Sequence, residues 1–138
     1  MSTVAKGTFV VQMKPQPGDS AQDGVCLGRM SLDKSFEGDL VATGSGEMLT
    51  AITPVKGSAG YVAIERVSGS LHGRSGSFVL QHTGTMNRGG QQLSITIVPD
   101  SGTSELTGIG GVFKLEIKDG KHFYVLDYSL PEQPDSVA

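Results

Sequence analysis

Over long stretches of this chain, apolar side chains recur at every second position. Phe9, Val11 and Met13 do so, as do Leu93, Ile95 and Ile97, then Phe113, Leu115 and Ile117, and finally Tyr124, Leu126 and Tyr128. A period of two is that of a β-strand with one face on a core and the other toward water. No segment carries the 3.6-residue period of a long amphipathic helix. Residue usage points the same way, since β-branched Val, Ile and Thr are plentiful and alanine is sparse. Glycine is abundant at 20 residues, but without the every-third-residue spacing of collagen. The chain is therefore predicted to be all-β.

Turn residues cut the alternation into eight strands. They run from about Thr3 to Lys14, Val25 to Phe36, Leu40 to Thr53, Tyr61 to Val67 and Ser75 to Met86. Two more centre on Leu93–Ile97 and Phe113–Ile117, and the last runs from Lys121 to Leu130. Lys118-Asp119-Gly120-Lys121 is the sharpest local signal, because Asp-Gly supplies the positive φ angles of a type I′ hairpin. Pro15 to Asp23 reads as a polar loop, and Ser104 to Thr107 as a single helical turn. Consecutive hairpins favour an eight-stranded antiparallel β-barrel over a sandwich. Gly44, Gly46, Gly76 and Gly84 fall inside strands, where they help a small sheet curve to closure. The length of 138 residues fits one domain, residues 1–130, followed by a tail from Pro131 to Ala138 expected to be disordered. A barrel of eight strands is nearly filled by its own side chains or holds one small ligand.

Several function classes are disfavoured. A formal charge of −3 gives no attraction to nucleic acid or an anionic membrane surface. No apolar run is long enough for a membrane-spanning helix or for the apolar stretch of a signal peptide. Cys26 is the single cysteine, so no internal disulfide can form; it reads as a small buried residue, and the cytoplasm is the expected location. Gly73-Arg74-Ser75-Gly76-Ser77 begins like a nucleophile elbow but ends in serine and lacks a following helix. Gly108-Ile109-Gly110 lacks the third glycine of a dinucleotide fingerprint, and no Gly-Lys-Ser/Thr phosphate loop occurs. The spacing of His72, His82 and His122 gives no metal motif. No cofactor and no metal are expected.

The residues that bear on function are polar groups embedded in strands. His82 shares a face with Phe78 and Leu80, as a hydrogen-bonded core residue or as a polar group aimed into a cavity. His72 and His122 lie at turns and read as solvated. Glu47, Glu65, Glu116 and Asp127 are strand carboxylates, for which a surface cross-strand ion pair is the ordinary reading. Glu65 and Arg66 must face opposite sides of the sheet. Arg66 shares parity with Val62 and Ile64, and Glu65 with Tyr61, Ala63 and Val67, so the pattern leaves open which of the two points inward. Glu65 with His82 would form an acid–base pair if both face inward. Tyr124 and Tyr128 lie on one face of the last strand with Asp127 on the other. Glu65 and His82 are the candidate catalytic residues. Glu47, Tyr61, Arg66, Phe78, Gln81, Tyr124, Asp127 and Tyr128 are the candidate ligand-binding residues.

The stretch Gly69-Ser70-Leu71-His72-Gly73-Arg74-Ser75-Gly76-Ser77-Phe78-Val79-Leu80-Gln81-His82-Thr83-Gly84 resembles the signature of a family of small bacterial proteins grouped as a domain of unknown function. Phe36–Leu40, Tyr61–Arg66, Gly102–Gly108 and Leu126-Asp127-Tyr128 resemble it too, so the likeness covers nearly the whole chain. Ser104 departs from it, since glycine is expected there. The resemblance implies a barrel similar to those of the allene oxide cyclase-like fold, which includes plant dirigent proteins, with a central cavity and frequent oligomers. It implies no reaction, and it carries no catalytic residues over to this chain. The expectation is a barrel that binds a small, mainly apolar molecule and assembles as a homo-oligomer. An isomerase or cyclase using Glu65 and His82, and a purely structural oligomer, are the alternatives.

Overall fold

The computed structural model of the protein describes residues 2–18 and 20–131; most of the tail expected to be disordered lies outside them. The strands are β1 (Thr3–Pro15), β2 (Ser20–Gln22), β3 (Val25–Gly38), β4 (Leu40–Ile52), β5 (Ala59–Leu71), β6 (Arg74–Asn87), β7 (Gly90–Ile97), β8 (Gly110–Lys118) and β9 (Lys121–Ser129). A single 3-10 turn, Ser104–Leu106, sits in the connection between β7 and β8. Every pairing is antiparallel, in the order β1-β9-β8-β7-β6-β5-β4-β3, and β3 pairs back onto β1. This is a closed eight-stranded antiparallel β-barrel, with β2 as a short addition to the free edge of β3.

Strand β2 falls within the segment expected to be a plain loop. Its cause is Asp23-Gly24, where both residues have positive φ (54° and 83°) and so form a tight reversal into β3. Asp119 and Gly120 adopt the expected left-handed pair, at 52° and 76°. Strand β5 extends past its expected limits at both ends, because its register with β4 and β6 continues unbroken from Ala59 to Leu71.

The barrel is solid at one end and hollow at the other. Toward the solid end the inward residues are large: Phe36, Phe78, Phe113 and Tyr124, with Leu40, Leu71, Leu80 and Leu126, all buried. Phe36 meets the Tyr124 ring edge-on at 5.9 Å, while Phe113 stacks on it at 5.6 Å. Leu106 and Ile109, from the connection holding the 3-10 turn, plug this end. The Tyr124 hydroxyl accepts from Leu40 N–H (2.9 Å) and donates to the Glu37 carbonyl (2.8 Å), which ties the β3–β4 turn to β9. Toward the other end the inward residues are small or flexible, namely Ala59, Gly84, Thr50, Met48 and Met86, and they cannot fill the space.

Candidate functional site

The hollow end is a cavity of about 440 Å³. Its wall is mainly apolar, with Val11, Leu32, Met48, Leu93 and Leu115 among its residues. Lys34, Tyr61, His82 and His122 are its ionisable residues. Behind Lys34 and His82 lies Glu65, wholly buried.

These polar groups meet because of strand register. Ala63 on β5 lies opposite His82 on β6, so Glu65 is the diagonal neighbour of His82 on the inner face. Lys34 is on β3, and β4 runs between it and Glu65. The β4 residues opposite Lys34 and Glu65 are Gly44 and Gly46, which project no side chain into the gap. A methyl group on Gly44 would come within 2.8 Å of Glu65 Oε2 and 3.2 Å of the Phe36 ring. The two glycines thus open a passage across β4 through which the ion pair forms.

Glu65 Oε1 accepts from Lys34 Nζ at 2.8 Å and from His82 Nε2 at 2.7 Å. Lys34 Nζ also stands 5.2 Å from the centre of the Phe9 ring, within cation–π range. Burial pushes the Glu65 pKa up, but the hydrogen bond from His82 and the charge and hydrogen bond of Lys34 outweigh it. The carboxyl is held below its ordinary value and stays ionised. An ionised carboxylate only accepts, so His82 must carry a hydrogen on Nε2, and a neutral ring then has its lone pair on Nδ1. Glu65 Oε2 is buried without a hydrogen-bond partner among the described residues. Burial, and then the charge of Glu65, raise the Tyr61 pKa, so its hydroxyl keeps its proton.

Among the sequence candidates, Glu65, His82, Tyr61, Phe78, Tyr124 and Tyr128 point inward, and Glu47, Arg66, Gln81 and Asp127 point outward. Only His82 and Tyr61 line the cavity, with Glu65 behind them. Phe78 and Tyr124 belong to the solid core. Tyr128 closes the far end, where its hydroxyl bonds His72 Nδ1. Glu47 is a surface residue 3.5 Å from Arg29. Arg66 is outside together with Val62 and Ile64, so the more aliphatic face of β5 is the solvent face. His72 is partly shielded, 3.6 Å from Asp39 Oδ2. His122, expected in solvent, is half-buried on the cavity wall against Phe9, at 5.1 Å between ring centres. Lys34 is a site residue that the sequence candidates do not include. Its signal is its parity with Leu32 and Phe36, which places a lysine on an inner face.

Fold and site together define a class: a small closed antiparallel barrel, packed solid at one end, whose open cavity is floored by a buried lysine–glutamate–histidine cluster. The chain belongs to the DUF3224 family, described as proteins of unknown function, and residues 5–128 match that family. A crystal structure of a DUF3224 protein of unknown function from Shewanella oneidensis MR-1 is 48% identical and superposes with a TM-score of 0.90. The match covers 95% of this chain and 99% of that one. No curated protein matches the chain. Among the described residues no helix is long and apolar enough to cross a membrane. Nor do any three His, Cys, Asp or Glu side chains there group so as to hold a metal ion.

Proposed function

We propose that the protein binds a small, mainly apolar molecule in the open half of its barrel. The observation that carries this reading is the cavity of about 440 Å³ with an apolar wall and a few convergent polar groups. That size and character suit a small-molecule site. Burying apolar ligand surface against Leu32, Met48 and Leu93 supplies the driving force, and the methionines adapt to its shape. The test is titration with the neutral dye Nile red, whose emission rises in apolar surroundings. The wild type should bind it in the cavity. Thr50→Phe, which projects a ring into the cavity, should lose most of the signal while staying folded. A wild type that leaves the dye dark, or a Thr50→Phe variant that binds it equally well, overturns the reading.

A second reading, an isomerase-type enzyme, is favoured by the 2.7 Å bond between Glu65 and His82. A carboxylate that fixes the Nε2–H form of an imidazole leaves Nδ1 to take a proton from a bound molecule. Homo-oligomer formation is supported by the outer faces of β4 and β5, where Leu49, Val62 and Ile64 are each at least half exposed (57%, 50% and 52%). The free thiol of Cys26 suits a reducing compartment such as the cytoplasm.

A further inference from the structure

We propose that the molecule taken up by the cavity carries one carboxylate, bound at the cavity floor by Lys34 and His82. This rests on the ligand-binding reading and specifies the chemistry of its ligand. An ammonium group has three donors, and Lys34 uses one on Glu65; no second hydrogen bond from its Nζ is present among the described residues. Its remaining hydrogens and the His82 ring are the polar features of a floor otherwise lined by Val11, Leu32 and Leu115. Groups of this kind deep in an apolar cavity favour a ligand whose buried end is anionic and whose body is hydrocarbon.

Charge balance narrows the ligand further. Lys34 and Glu65 cancel, so the floor carries no net negative charge of its own against a bound monoanion, and an imidazole that donates from Nε2 to Glu65 and from Nδ1 to the ligand would stand between two carboxylates. The other titratable groups facing this space are Tyr61, which keeps its proton, and His122 on β9. A phosphate would bring up to two charges and three exposed oxygens against apolar walls that hold one lysine and no arginine. Two donors suit the two oxygens of a carboxylate.

Octanoate, octanol and methyl octanoate share a chain and differ at the head group. Their affinities for the intact protein are measured by calorimetry, with Nile red as an independent probe of the cavity. The expected result is octanoate bound roughly ten- to a hundredfold more tightly than the ester or alcohol, the range for a charge-assisted hydrogen bond. Lys34→Met and His82→Phe should each narrow the gap between acid and ester. Nile red binding with no preference for the acid overturns the carboxylate and leaves the cavity reading standing. Failure of Nile red and all three ligands overturns the cavity reading and this proposal together. If neither variant folds, the wild-type comparison of acid with ester still decides. The side-chain nitrogen resonances of Lys34 and His82 would then be followed as octanoate is added. Shifts confined to other residues overturn the assignment.

Discussion

Glu65 is wholly buried and charged, a state that costs several kcal/mol unless its partners are well placed. Lys34 and His82 both donate to the same oxygen, so removing Lys34 should leave a charge that the interior cannot solvate, and removing His82 should leave the carboxylate one hydrogen bond short. Lys34→Met is expected to destabilise the protein by about 3–5 kcal/mol. In Lys34→Met/Glu65→Gln the amide oxygen still accepts from His82 and no buried charge remains. The double variant should therefore be less destabilised than the sum of the two single variants. Urea unfolding of all four proteins tests this; additive losses would mean that the pair is not coupled. Gly44→Val should weaken the same pair by another route, because the new side chain enters the space of Glu65 Oε2.

Glu65 also sets the response to acid. Its folded pKa lies below the ordinary value of 4.5, so on acidification the unfolded chain takes up the proton first. The stabilisation is therefore complete above about pH 4.5 and is lost as pH falls toward the depressed folded value. Urea midpoints measured from about pH 7 down to about pH 3 should fall more steeply for the wild type than for Lys34→Met/Glu65→Gln. Parallel slopes would assign the acid sensitivity to other carboxylates.

Among the strands, the weakest seam is between β7 and β8, which are in register at one position, Thr96 opposite Val112. The neighbouring pairs β6–β7 and β8–β9 run in register over eight and nine positions. Leu93 and Leu115, on either side of the loose seam, both line the cavity. Backbone amides of β7 and β8 that face each other should exchange hydrogen sooner than those between β4 and β5, where thirteen positions are in register. Mass-spectrometric hydrogen exchange resolves this, and uniform protection around the barrel would contradict it. The backbone of the connection that follows β7 explains why glycine is expected at position 104, and nothing in the structure explains the serine that stands there. That residue, where the family resemblance leads one to expect glycine, has a φ of 50°, a region that disfavours any side chain. The alternation of apolar residues is enough to place the strands, because a period of two matches the pleat of a half-buried strand and not the pitch of a helix. It does not settle which face of β5 turns inward. Val62 and Ile64, the more aliphatic face, lie outside, while Glu65 lies inside with partners from two other strands. That choice depends on β3 and β6, which lie outside β5 in sequence, so no pattern within the strand could contain it. Lys34 is hard to pick out for a related reason: lysines are seldom buried unless paired, and its pair is reached across glycines.

In the whole molecule, the close-packed core and the open cavity lie at opposite ends of one barrel. Phe36 sits among Phe9, Phe113 and Tyr124 at the solid end, with ring centres 5.6–6.1 Å away. Its neighbours belong to β1, β8 and β9, so they cannot close together over a deleted ring without moving three strands. Phe36→Ala should therefore cost about 3–5 kcal/mol, the range for a phenyl ring lost from a close-packed core. Met48 lines the hollow end, where one side of its chain already borders open space. Met48→Ala enlarges an existing cavity and removes fewer contacts, so it should cost well under the roughly 2–5 kcal/mol usual for a buried methionine. The effects on binding should be reversed. Met48→Ala should alter Nile red affinity through the changed wall, and Phe36→Ala should leave that affinity nearly intact at temperatures where the variant remains folded. Thermal unfolding with and without the dye measures both quantities on the same samples. Equal stability losses at the two ends would show that the cavity wall bears as much of the fold as the aromatic core does. The mouth could not then vary its residues to suit a ligand without endangering the barrel.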